Sequence, residues 1–235
     1  MPHKLLINYT FMRKIILTAL SIFLLGAGSV QAQETENSKD YKWQFRLRGV
    51  GVVANERATI SAIGGSVNIS NDLIPELDIT YFFTKNIAAE LILGTTEHDV
   101  HTVGSDLSPI GGGITNVDLG SVRLLPPTLL AQYHFYPNET VKPYIGAGIN
   151  YTLFYDVDAG NTIKNVEYDN ALGFAFQIGS DFFFTDNFFV NLDVKYILLK
   201  TDVTVDASNL AAGLSIPAEV EINPLLVGLG FGYRF

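Results

Sequence analysis

The 235-residue sequence holds two groups of residues whose types and spacing could do chemistry. One is His98, Asp99, His101, Ser105 and Asp106, close together in the chain. Histidine, serine and carboxylate are the parts of a nucleophilic acyltransferase or deacylase. That chemistry needs a base within hydrogen-bond reach of the hydroxyl and a third group to orient the base. No serine motif surrounds Ser105, and two histidines three residues apart are too few donors to specify a zinc site. The expectation is no catalytic residue, no metal site and no cofactor. The other group is Arg46, Arg48, Asp78, Glu90, Asp181, Asp193, Lys195 and Arg234. Each stands opposite an apolar row in a segment of alternating character. Charges gathered away from water must pair, because an unpaired buried charge is expensive. Their expected chemistry is therefore a polar plug of mutual ion pairs rather than an ion path.

The elements that would position these charges are β-strands. After residue 42 apolar residues recur with period two, and no convincing helical period is present. Eight strands are expected, at 42–53, 74–83, 87–98, 126–136, 142–156, 171–184, 188–201 and a last one running to Phe235. In that last strand Leu225, Val227, Leu229, Phe231, Tyr233 and Phe235 alternate with Leu226, Gly228, Gly230, Gly232 and Arg234. Tight turns at 84–86, 137–140 and 185–187 alternate with long loops at 54–73, 99–125, 157–170 and 202–218. Short turns on one rim and long loops on the other are the wiring of a transmembrane barrel, with the short turns in the periplasm.

Composition and the first residues fit the same reading. Residues 15–25 form the one continuous apolar run, too short to cross a bilayer as a helix. Arg13-Lys14 precede it and Val30-Gln31-Ala32 follow, the pattern of a secretory signal peptide over 1–32. Met12 is the expected start, with 1–11 an upstream extension. Residues 33–41 then form a periplasmic segment and 42–235 the barrel. Without Lys4, Arg13 and Lys14, the 15 basic residues fall to 12 against 24 acidic ones, a net charge of −12. Such a chain is no partner for nucleic acid. It has no cysteine, so an exported fold must close on itself without disulfides.

The apolar face cannot point inward. Eight strands enclose a space only just wide enough for side chains, whereas the glycine-rich face leaves room there for long charged residues. The apolar face therefore needs lipid, and closure satisfies the backbone groups that hydrocarbon cannot. The expected fold is all-β, an eight-stranded antiparallel transmembrane β-barrel. Aromatics bunch beside the short turns, among them Trp43, Tyr81, Phe83, Tyr133, Phe135 and Tyr233, where an interfacial girdle belongs. Strict alternation also turns Ile92, Leu130, Phe154, Ile197 and Leu199 inward, giving an apolar vestibule above the plug. Pro75, Pro127 and Pro224 fall near the outer ends of down-running strands. Proline donates no ladder hydrogen bond, so these three mark an expected lateral opening.

Four stretches carry a family resemblance: "LPPTLLAQYHF" (125–135), "KPYIGAGINYTLF" (142–154), "NIAAELILGT" (86–95) and the terminal "GYRF". The chain resembles the outer membrane protein W (OmpW) family over essentially its whole length after residue 32. The resemblance implies a bacterial outer-membrane barrel that passes small hydrophobic molecules, with lipid as its surroundings. It implies that the barrel-assembly machinery reads the terminal aromatics Phe231, Tyr233 and Phe235. It also places Ile92 where the family carries an apolar lumen residue. Two other readings stay open: a structural or adhesive barrel without transport, and an outer-membrane lipid-modifying enzyme built on His98 and Ser105.

Overall fold

The computed structural model describes residues 41–60, 63–108 and 111–235. The expected signal peptide, and all of the following segment except Tyr41, lie outside the described residues. Eight strands form a closed antiparallel ring: β1 (Trp43–Val53), β2 (Asp72–Phe82), β3 (Ile87–Gly94), β4 (Thr128–His134), β5 (Val141–Asp158), β6 (Ala171–Phe183), β7 (Phe188–Leu198) and β8 (Leu225–Arg234). Each strand pairs with its chain neighbours, and β1 pairs with β8 from Gln44↔Arg234 to Val53↔Leu225. Beyond that ladder the Phe235 N–H donates to the Trp43 carbonyl at 2.9 Å, sealing the seam.

Alternation along these strands inverts the burial order of a soluble protein. On β1, Leu47 is 63% exposed while its neighbour Arg48 is 1% exposed; on β8, Phe231 is 69% exposed. Only lipid makes this arrangement favourable, since burying apolar surface yields about 25 cal/mol per Å² and the ring has no room for it inside. Aromatic side chains pack edge to face around the short-turn rim, as in Trp43 with Tyr81 (4.8 Å) and Tyr133 with Phe135 (5.0 Å). No helix among the described residues is long and apolar enough to cross a membrane.

Two of the short turns use the same device. The Thr84 hydroxyl accepts from the N–H of Asn86 and Ile87, and the Thr185 hydroxyl accepts from those of Asn187 and Phe188. Each asparagine amide then donates sideways at 2.7 Å, Asn86 to the His134 carbonyl and Asn187 to the Arg234 carbonyl. Thr-x-Asn thus closes a hairpin and ties it to the next strand over.

The long segments are not the loops expected of them. Most of their length is strand, stacked beyond the ring as two larger sheets and one short pair, Ser105–Asp106 with Ile114–Thr115. One joins the upper end of β5 to Asp118–Leu125, Thr96–Val103 and Ser66–Ile69. The other runs Asn165–Tyr168, Lys200–Asp206, Ser215–Glu221 and Arg57–Ile60. Here alternation has the ordinary sign: Val203, Val205, Ile216 and Val220 are buried while Asp202, Thr204 and Glu219 are exposed. The expected third and seventh strands consequently end early, at Gly94 and Leu198, where inner ring gives way to outer sheet.

Candidate functional site: a charged lumen beneath an apolar cavity

β1 sends Gln44, Arg46 and Arg48 into the ring, and the opposite wall answers with carboxylates. Arg46 grips Asp181 through Nε (3.2 Å) and Nη2 (3.0 Å), while its Nη1 reaches Glu90 at 2.6 Å and Thr80 at 2.9 Å. Arg48 lies 2.7 Å from Asp78, 3.1 Å from Asp193 and 3.1 Å from Glu76. Its Nε–Asp78 contact is an ion pair by distance whose angle does not make a hydrogen bond. Lys195 pairs with Glu76 and lies 3.4 Å from Asp193. Neutral groups complete the web: Gln132 and Gln177 both donate to Glu90 at 2.8 Å, and the Tyr144 hydroxyl donates to Asp193 at 2.9 Å. Glycine supplies the space, since a Cβ on Gly179 would lie 2.4 Å from the Tyr144 ring.

All five carboxylates and three cations of this web are buried. The expected plug residues Arg46, Arg48, Asp78, Glu90, Asp181, Asp193 and Lys195 thus come together. Glu76, an inward acid by the same alternation, joins them, as do the neutral Tyr144, Gln132, Gln177 and Asn191, which a reading of the alternation for charge alone passes over. Arg234 does not belong. Half-buried at the short-turn rim, it donates to the Asp186 carbonyl at 2.7 Å and lies over the rings of Tyr41 and Phe183. The packed rings of Phe183 and Phe189 stand between it and Arg46. Alternation gave its direction but not its depth.

Above Glu76 and Lys195 the lumen opens into a cavity of about 120 Å³. That is on the order of the ~150 Å³ apolar cavity that takes up benzene. Ile92, Phe154, Ile197 and Leu199 line it, with Val203, Val205, Ile216 and Val220 from the outer sheets and Leu107, Leu210 and Leu214 from the connecting segments. Phe154 stacks on Tyr168 at 5.4 Å, and burial pushes the Tyr168 hydroxyl up to about 12. Leu130 is a correction: it is buried in the core but does not line the cavity, because its register sets it level with Glu90.

The three prolines do not share one opening. Pro75 stands within β2 opposite Gly49. The Pro224 carbonyl accepts from Ile197 N–H at 3.1 Å, so the wall is bonded there. Pro127 is different. Its carbonyl accepts from Tyr151 N–H at 3.0 Å on one side. On the other side backbone pairing lapses between Thr128↔Ile92 and Leu124↔Thr96. The Thr95 hydroxyl bridges that lapse by donating to the Leu124 carbonyl at 3.1 Å.

The histidine–serine group does not converge. His98 lines the cavity with Nδ1 2.6 Å from the Ser70 carbonyl, whereas Asp99 is exposed on the other face. The Ser105 hydroxyl donates to Thr102, and Asp106 accepts from Ser108 N–H. Among the described residues no three His, Cys, Asp or Glu side chains are grouped to hold a metal ion.

Comparison with known proteins agrees with this architecture. The OmpW family model matches residues 40–235. The outer-membrane protein y4mB of Sinorhizobium fredii is 43% identical, over 82% of this chain and 80% of its own. Outer membrane protein W of Vibrio cholerae is 34% identical, over 68% and 72%. Outer membrane protein AlkL of Ectopseudomonas oleovorans is 29% identical, over 91% and 93%. The crystal structure of OprG from Pseudomonas aeruginosa has the same fold, with a TM-score of 0.74 at 24% identity over 86% of this chain and 99% of that one. With its closed eight-stranded ring, inverted burial and a family match over nearly all the described residues, the chain belongs to the OmpW family of bacterial outer-membrane β-barrels.

Proposed function

We propose that this barrel takes small hydrophobic molecules from outside into the apolar cavity and releases them sideways into the membrane, without catalysing a reaction. The observation that carries the reading is the stacking of an apolar cavity directly on a buried ionic web. A solute that enters from the outer rim meets Glu76, Lys195 and Arg48 below, and an apolar molecule gains nothing by displacing paired charges. Recognition in such a pocket is mainly hydrophobic. The lapse in backbone pairing beside Pro127 is the part of the wall easiest to part, since no ladder bond has to break. Uptake of a small apolar compound by cells carrying the wild type, Ile92→Lys or Pro127→Thr tests this. Ile92→Lys is expected to cut uptake by blocking the cavity at unchanged barrel levels, whereas Pro127→Thr, whose restored N–H would point with its carbonyl toward Tyr151 of β5 and away from the lapse, is expected to leave uptake unchanged. Equal uptake by cells lacking the protein leaves a structural or adhesive barrel instead.

Assembly has its own signal in this reading. Phe231, Tyr233 and Phe235 present exposed rings on one outward row, where the barrel-assembly machinery can read them. Deleting Phe235 is expected to lower outer-membrane levels; unchanged levels would remove it from the signal.

A further inference from the structure

Most polar side chains that line the cavity are already satisfied. The Asn150 amide donates to Thr128, Thr152 donates to Asn150, Thr201 donates to the Asp169 carbonyl, and Thr102 accepts from Val117 N–H. Four polar atoms make no hydrogen bond to protein among the described residues and stay open to the cavity: the Thr96 hydroxyl, Nε2 of His98, one oxygen of Glu76 and the Tyr168 hydroxyl. Three of the four belong to one wall. Thr96 and His98 stand two apart on Thr96–Val103, so both face inward, roughly 7 Å apart along the strand. Glu76 stands below them on β2, level with Gly94. Thr96 is 7% exposed and His98 6%, and both line the cavity rather than the outer surface. The Ser70 carbonyl can only accept, which puts the hydrogen of a neutral His98 ring on Nδ1 and leaves Nε2 a bare acceptor.

An apolar cavity that keeps a hydroxyl and an unused acceptor on one strand is built for more than hydrocarbon. Resting on the transport reading above, we propose that Thr96 and His98 form a recognition subsite for apolar solutes carrying a single hydroxyl group. The solute O–H donates to Nε2 of His98, and its oxygen accepts from the Thr96 hydroxyl. A hydrocarbon of the same shape displaces water from both groups and replaces none of their bonds, so the site discriminates against it. An anionic amphiphile is disfavoured for another reason: the Lys195 cation at the cavity floor is already paired with Glu76, over a web of five carboxylates and three cations.

Phenol and toluene, which differ by hydroxyl against methyl, test the subsite with the purified full barrel in lipid nanodiscs. The readouts are the methyl resonances of Ile92 and Ile197 and the side-chain nitrogen resonances of His98. Both compounds are expected to shift the methyls, and only phenol to shift Nε2. Thr96→Val, nearly isosteric, and His98→Phe should each weaken phenol about fivefold to tenfold, the worth of one hydrogen bond, and leave toluene unchanged. If Nε2 does not respond to phenol, or if Thr96→Val weakens both compounds equally, the subsite is overturned while the cavity reading stands. If neither compound moves the Ile92 methyl in the wild type, the cavity reading falls and the subsite with it.

Discussion

The inner ring and the outer sheets are built by the same strand period with opposite sign. Along β7 and its continuation the outward residues pass from Leu198, which is exposed, to Asp202 and Thr204, also exposed. The inward residues pass from Asp193 and Lys195 to Ile197 and Leu199, then to Val203 and Val205. Below the switch the chain is apolar outside and charged inside; above it, apolar inside and polar outside. What changes is the solvent the outer face meets, lipid in one half and water in the other. The interior follows as the complement of each outer face. Where the two interiors meet, paired charge becomes the floor of an apolar cavity, and that level is set by how far the lipid-facing rows run.

The comparison can be broken hardest at its charged half. Arg48→Ala leaves Asp78 without a cation and Glu76 and Asp193 with Lys195 alone in a buried web, and is expected to destabilise the barrel by roughly 3–5 kcal/mol. Urea unfolding in lipid vesicles reads this. The matching change in the outer half is Arg123→Ala, whose partners Glu97 and Asp156 lie on the water-facing surface. No measurable loss is expected there, because exposed ion pairs are screened. An equal loss from the two changes would erase the distinction between the halves. Between these extremes lies the outer face of the ring. Leu47→Arg puts a charge into the lipid-facing row and should cost roughly 2–4 kcal/mol near mid-membrane. A neutral result would place Leu47 in water.

Much of the ring was legible in the sequence because lipid imposes a simple code. Phe231, Leu229 and Val227 outward against glycine inward can be read from one strand, and the two Thr-x-Asn turns mark where strands reverse. The outer strands escaped notice because the sign of the alternation flips. Lys200–Asp206 and Ser215–Glu221 carry few outward apolar residues, and a search for lipid-facing rows passes over them as loop. Depth was also beyond reach. Arg234 and Leu130 face inward as their spacing demands, yet Arg234 stops at the rim and Leu130 sits level with Glu90. Stagger between strands sets height, and only the paired registers give it. His98 was visible as a residue with chemistry in it; its partner at the Ser70 carbonyl, 28 positions away, was not.

Xenon binding tests the central claim most directly, since the gas enters apolar cavities and is excluded by packed charge. Crystals of the barrel under xenon pressure should show density among Ile92, Ile197 and Leu199, above the Glu76–Lys195 pair, and none among Arg46, Tyr144 and Asp193. Xenon or a continuous water column through the lower lumen, with an empty upper one, would contradict the division of the barrel into an apolar vestibule and a charged plug.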